Sequence, residues 1–176
     1  MSRILIIDDN ETLASGLVLM LNRMGHDAVT VNTGSKGLAS IENKDYELIV
    51  TDFRMKEMDG LQLLREIKQR WPAKDVVVMT AFGSVDIAVE AMKLGAVDFI
   101  SKPFPHDTFR LKISKLLEFR RARLANQRLN EENKYLRNEI GKRYNFGEII
   151  GRSNVITRLM ESVSKVAISD SSVLLY

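Results

Sequence analysis

Five short apolar runs, each followed by a stretch of helical spacing, constrain this chain more than any other feature. They are Arg3–Ile7, Ala28–Val31, Leu48–Thr51, Val76–Thr80 and Val97–Ile100. Each is too short for a typical helix and rich in Val, Ile or Leu, as expected of strands buried on both faces. Between them apolar residues recur at helical spacing: Leu13, Leu17, Met20, Leu21 and Met24, then Leu38 and Ile41, then Leu61, Leu64 and Ile67. Val85, Ala88, Val89 and Met92 make a fourth set, and Leu111, Ser114, Lys115 and Leu117 open a fifth. Asp9 or Asn10, Thr33, Asp59, Ser84 and Asp107 suit helix N-caps, and Gly25 and Gly95 suit helix C-termini. Five strand–helix units in this order predict an α/β fold, an open five-stranded parallel sheet wound on both faces by helices. In such a sheet the site lies beyond the carboxyl ends of the strands.

Charge divides the chain in two. Residues 1–109 carry 12 basic and 16 acidic side chains, a balance of −4, whereas residues 110–176 carry 14 and 7, a balance of +7. That asymmetry argues for two functional pieces. With no cysteine there is no thiolate nucleophile, disulfide or Cys-ligated metal. No apolar run approaches the roughly 18–20 residues that span a bilayer, so a cytoplasmic protein without membrane contact is expected. From Asp107 no Pro or Gly occurs until Gly141. This predicts a last helix that continues as a linker or coiled coil over 107–141. Leu129, Asn133, Leu136 and Ile140 follow a 4-3-4 spacing, a heptad seam with one polar position, and Leu117 and Leu124 stand out of step with it. Asn133 favours two strands in one register, hence a homodimer. The basic run Arg120, Arg121 and Arg123 lacks interleaved aromatics, so it reads as a solvated helix face or a contact with the acidic first part. His26 and His106 read as loop residues, and Trp71-Pro72 as a helix stop.

The chemistry gathers at strand ends. Asp8 and Asp9 terminate the first run and Asp52 the third. With strand order 2-1-3-4-5 those strands are neighbours, so the three carboxylates converge on one crevice. Like charges at ~4 Å repel by about 4 kcal/mol per pair at an effective dielectric near 20. Either one takes up a proton or a cation sits among them, and an all-oxygen site suits Mg²⁺. Thr80 ends the fourth strand and Lys102 follows the fifth. A carboxylate nucleophile, a divalent metal, a hydroxyl donor and a fixed cation are what phosphoryl transfer to Asp requires.

These residues carry a family resemblance. Ile7-Asp8-Asp9-Asn10, Thr51-Asp52-Phe53-Arg54-Met55-Lys56-Glu57-Met58-Asp59-Gly60, Thr80-Ala81-Phe82-Gly83 and Asp98-Phe99-Ile100-Ser101-Lys102-Pro103-Phe104 stand in order over residues 1–118. Together they resemble the receiver domain of bacterial two-component response regulators, a flavodoxin-like fold. The resemblance implies that Asp52 accepts a phosphoryl group from a sensor histidine kinase. It implies Mg²⁺ held by Asp9, Asp52 and the Arg54 carbonyl, with Asp8 assisting through water. Lys102 would contact phosphoryl oxygens, Thr80 and Phe99 would relay the switch, and Lys102–Pro103 would be cis. Lys56 stands where the family often has Pro. Such a protein is a phosphoacceptor switch rather than an enzyme with a separate substrate.

The continuation resembles a second family. Ile149-Ile150-Gly151-Arg152-Ser153, Val166-Ala167 and Asp170-Ser171-Ser172-Val173-Leu174-Leu175-Tyr176 are similar to the start of the AAA+ domain in sigma-54 activators of the NtrC class. A last helix, Val155 to Val166, and a strand, Ser172–Tyr176, are expected there. The resulting division is a receiver over 1–118, a linker over 107–141, and the beginning of an AAA+ domain over 142–176. No Gly-x-x-x-x-Gly-Lys-[Ser/Thr] phosphate loop occurs, so ATP belongs to a missing part of a longer parent, as do sigma-54 RNA polymerase and DNA.

Three other readings compete. A Mg²⁺-dependent phosphohydrolase of the haloacid dehalogenase type also uses an Asp nucleophile, but needs a second Asp two residues on, where Arg54 stands. A flavodoxin-like cofactor binder needs Ser, Thr and Gly after the first strand, where Asp8-Asp9-Asn10-Glu11 stands. A coiled-coil scaffold with an inert receiver has no reason to retain all five site residues.

Overall fold

The computed structural model describes residues 1–81, 85–143 and 153–167. Its elements are β1 (Arg3–Ile7), α1 (Glu11–Arg23), β2 (Asp27–Val31), α2 (Gly34–Asn43), β3 (Leu48–Asp52), α3 (Gly60–Arg70), β4 (Asp75–Ala81), α4 (Val85–Lys93), β5 (Asp98–Lys102), α5 (His106–Arg143) and α6 (Asn154–Val166). Residues 1–124 form one compact unit and 125–176 a second, with α5 contributing to both.

In the first unit all strands are parallel and lie in the order β2-β1-β3-β4-β5. Every residue of β3 is buried, which is why it reads as an unbroken apolar run rather than an alternating one. Successive side chains nevertheless point to opposite faces. Ile4, Ile6, Val50, Val77, Met79 and Ile100 pack with α1 and with Phe109, Ile113 and Leu117 of α5. Leu5, Ile7, Ile49, Val76 and Val78 pack with α2, α3 and α4 on the other side. Helices on both faces make the fold doubly wound, as expected.

Local signals begin and end the helices. The Asn10 side chain accepts from the Leu13 amide at 3.1 Å, and Thr33 from the Lys36 amide at 3.2 Å. Asp59 forms a capping box with Gln62, satisfying amides that have no partner within α3. Gly25 and Gly95, at φ +83° and +93°, turn the chain after α1 and α4 in a conformation that costs other residues more.

Three helix expectations need correction. α5 begins at His106, so Asp107 lies in its first turn, where a carboxylate favours the positive end of the helix dipole, rather than at the cap. The inward face of α5 is Phe109, Ile113 and Leu117, while Leu111 is 58 % exposed. Leu117 is thus a core residue, and this is why it falls out of phase with the later seam. On α4 the buried positions are Ala88 and Ala91, and Val89 and Met92 face outward. Ile87 also packs, partly buried, against that side of the core, so hydrophobicity along the chain alone misreads the phase.

α5 also runs through Gly141 to Arg143, beyond the expected stop. In the second unit α6 starts one residue before the expected position, with Ser153 capping it through the Ile156 amide. The Ser84 cap, the Ile149-Ile150-Gly151 stretch and the Ser172–Tyr176 strand lie outside the described residues.

Candidate functional site

β1 and β3 are hydrogen-bonded neighbours with Ile7 opposite Thr51, so Asp8, just past β1, and Asp52, the last residue of β3, stand at the same edge. One carboxylate oxygen from each of Asp8, Asp9 and Asp52 lies within 4.8 Å of the others. Asp8 is buried, Asp9 exposed, and the Asp52 side chain 12 % exposed. β5 completes the site. Its last residue, Lys102, sets its Nζ 2.8 Å from Asp8 Oδ2 and 2.8 Å from Asp52 Oδ1. Asp8 Oδ1 accepts the Asn10 amide at 2.9 Å, so both oxygens of this buried carboxylate are engaged.

The electrostatics arise from this crowding. Burial pushes the Asp52 carboxyl above the usual carboxylate range; the Lys102 hydrogen bond and charge oppose that, and Asp8 adds to it. A cation already sits among the carboxylates, the ammonium of Lys102, yet it faces three acidic groups. An all-oxygen donor set that keeps excess negative charge fits a hard divalent cation, and Asp9 remains open to solvent for one.

The loop after β3 is built tightly. Gly60 donates its amide to the Phe53 carbonyl at 2.8 Å, and a Cβ there would stand 2.4 Å from the Asp52 carbonyl oxygen. Only glycine allows α3 to start this close to the strand end. Arg54 lies in the same loop, two residues beyond Asp52. The Lys102–Pro103 peptide is cis.

Thr80 and Phe99 share one face of the sheet. Phe99 pairs with Val78 and Ser101 with Thr80, and Val78 points toward the α2–α3–α4 layer. Thr80 is buried and Phe99 half-buried. Linear reading missed Lys112 of α5, which reaches back to this point. Its Nζ lies 5.1 Å from the Phe99 ring centroid and 2.9 Å from Asp98, and donates to the Phe99 carbonyl. Nothing in the linear spacing marks it, because the contact crosses from a helix to an edge strand.

The expected seam lies in the second unit. Leu129 and Leu136 are 58 % and 50 % exposed, and Asn133 donates to the Leu129 carbonyl at 3.0 Å. The Ile140 side chain lies outside the described residues. Among the described residues no helix is long and apolar enough to cross a membrane.

Residues 4–114 match the response regulator receiver domain family. The chain belongs to that family. The receiver and its C-terminal extension together are 34 % identical to the transcriptional regulatory protein ZraR of Klebsiella oxytoca over 173 residues, which is 98 % of this chain and 36 % of that protein. The chain therefore spans about a third of the curated relatives it matches. The receiver domain of NtrX from Brucella abortus superposes with a TM-score of 0.63 at 34 % identity, covering 65 % of this chain and 98 % of that one. A longer NtrX structure from the same organism gives 0.68 at 29 % identity, with 97 % of this chain and 36 % of that chain covered. Family, five-stranded order and strand-end carboxylates agree, and the phosphohydrolase reading is not favoured. The receiver presents Arg54 where that chemistry requires a second carboxylate.

Proposed function

We propose that this receiver takes a phosphoryl group onto Asp52 from a sensor histidine kinase and passes the change to an attached activator. The observation that supports it most is the placement of Lys102 Nζ at 2.8 Å from Asp52, beside Asp8 and Asp9. An Asp52 carboxylate oxygen attacks phosphorus, the bond from phosphorus to the donor nitrogen breaks, and the leaving imidazole takes a proton. Asp8, Asp9, Asp52 and the Arg54 carbonyl would hold Mg²⁺. When bound, that ion offsets charge on the transferring oxygens. Lys102 would hold a further phosphoryl oxygen. The raised Asp52 pKa expresses a carboxylate poorly solvated by its surroundings, which gains from cationic partners.

Thr80 would turn its hydroxyl to the phosphoryl group, and Phe99, on the same face, would follow. Leu129, Asn133, Leu136 and Ile140 would form the seam of a homodimer along the linker. The longer relatives support a parent protein that is a transcriptional regulator, in this reading a cytoplasmic sigma-54 activator whose ATPase lies in the AAA+ domain. The test is incubation with acetyl phosphate and Mg²⁺, with intact-mass and peptide mapping. Wild type is expected to gain one phosphoryl group on Asp52 and Asp52→Asn none. A phosphoryl group mapped to a different aspartate in wild type overturns the assignment.

A further inference from the structure

The opposite end of the sheet carries a second charged cluster that phosphoryl chemistry does not use. Asp75 opens β4, and its side chain is only 8 % exposed. Both its oxygens are taken by α5. Arg120 Nη1 donates to Oδ2 at 2.9 Å, and Arg123 Nη2 lies 2.9 and 2.8 Å from Oδ1 and Oδ2. Arg121 Nη2 adds a bond of 3.3 Å to Ser2 Oγ. The basic run thus turns to the receiver and not to solvent alone.

The apolar hold of α5 on the sheet ends before this point. Phe109, Ile113 and Leu117 are its buried anchors, and the next large apolar residues, Phe119 and Leu124, are 68 % and 39 % exposed. Over residues 118–124 the grip of the receiver on the helix is therefore mainly polar and centres on one buried carboxylate. The compact first unit ends at Leu124, one residue after the last of the arginines. Breaking a buried ion pair from one side is costly because the remaining charge must find new solvation. Without its carboxylate partner the Arg120 guanidinium, 15 % exposed, regains solvation when the helix lifts from the sheet, and Arg123, more exposed, follows the same helix.

We propose that Asp75, with Arg120 and Arg123, is a clamp that sets where the receiver ends and the free linker begins. With the clamp closed, about two more turns of α5 move with the sheet. With it open, the pivot retreats to just after Leu117. Asp75 sits five residues from Thr80 on the same strand, roughly 17 Å away, so the clamp acts outside the phosphorylation site. Its role in output rests on the proposed reading of the linker as the output element, but its existence does not.

Amide hydrogen exchange on the full chain tests it, in wild type, Asp75→Ala and Arg123→Gln. Running the set also with Leu136→Lys keeps linker pairing from masking the result. Exchange over residues 118–124 is expected to rise on the order of a hundredfold in Asp75→Ala, and about tenfold in Arg123→Gln. Amides of 109–117 and phosphoryl uptake by acetyl phosphate should stay at wild-type values. A merely structural Asp75 would speed exchange across the whole of α5 in parallel. That outcome, or unchanged exchange over 118–124 in Arg123→Gln, overturns the clamp. Should Asp75→Ala not fold, Arg123→Gln alone decides, because its side chain is 37 % exposed and tolerates the change. Failure of phosphoryl uptake in wild type would instead remove the proposed function and leave the clamp standing.

Discussion

Lys102 holds its ammonium 2.8 Å from Asp52, although fifty residues and two strand crossovers separate them in the chain. The same nitrogen is equally close to buried Asp8. One cation therefore balances part of the charge that the strand ends bring together.

Removing that cation should weaken the fold most when no metal is present. Lys102→Ala leaves two poorly solvated carboxylates facing each other, and a loss of roughly 1–3 kcal/mol is expected. Chemical denaturation checks it, and added Mg²⁺ should recover most of the loss. Equal loss with and without Mg²⁺ would argue against a shared site.

Mg²⁺ itself should raise the melting temperature of wild type. A ligand that binds only the folded state adds about 2.7 kcal/mol at a hundred times its Kd. Asp9→Ala, at the exposed member of the trio, should shrink both this gain and phosphoryl uptake. Scanning calorimetry across a Mg²⁺ series reads the first effect, and uptake unaffected by chelator would contradict the second.

Thr80→Val removes the hydroxyl at nearly constant volume, so it should still accept phosphate while failing to move Phe99. Lys112→Met should alter Phe99 before any phosphorylation, because the ammonium lies 5.1 Å from the ring centroid. NMR shifts of the Phe99 ring distinguish the two. A normal phosphorylation response in Thr80→Val would disconnect the pair.

His26 should make stability fall on the acid side. Burial lowers its pKa first, then the N-terminal amine and Arg121, against an opposing pull from Glu47. Its Nδ1 is buried with no hydrogen-bond partner. The unfolded ring therefore binds a proton at a pH where the folded ring does not. This contribution is full above about pH 6.5 and is lost as pH falls through the folded value. His26→Gln should flatten that part of the profile, measured by denaturant midpoints from pH 7.5 down to about pH 5. An identical slope in the variant would remove His26 as the cause.

Leu136→Lys should shift the chain toward monomer while Asp52 remains phosphorylatable, since it places like charges across the proposed seam. A dimer paired through that seam would link its geometry to phosphorylation, and the linkage would be reciprocal. Analytical ultracentrifugation decides: a wild-type chain monomeric at micromolar concentration, phosphorylated or not, would leave the linker an ordinary surface helix.

What the linear chain determined was period and punctuation. Apolar runs too short for helices specified five strands, Asn10, Thr33 and Asp59 marked where helices begin, and strand-end carboxylates located the site. These are properties of near neighbours in sequence, where side-chain spacing acts directly on the backbone. Helix phase was less legible. On α4 Ala88 and Ala91 are buried while the more apolar Val89 and Met92 face outward, a phase set by how the helix lies on the core and not by hydrophobicity along the chain. On α5 the core takes Phe109 and Ile113 together with Leu117, and leaves Leu111 outside.

Only the tertiary structure decided which charges meet. Lys112 with Asp98, and Asp75 with Arg120 and Arg123, join residues 14 to 48 positions apart, whereas strand order alone already brought Lys102 to the edge that carries Asp52. A charge carries no directional pattern along the chain, and its partner is whichever opposite group the packing of apolar faces brings within reach. The hydrophobic period is written locally, whereas electrostatic pairing is an outcome of assembly, and so the sheet was legible before the clamp.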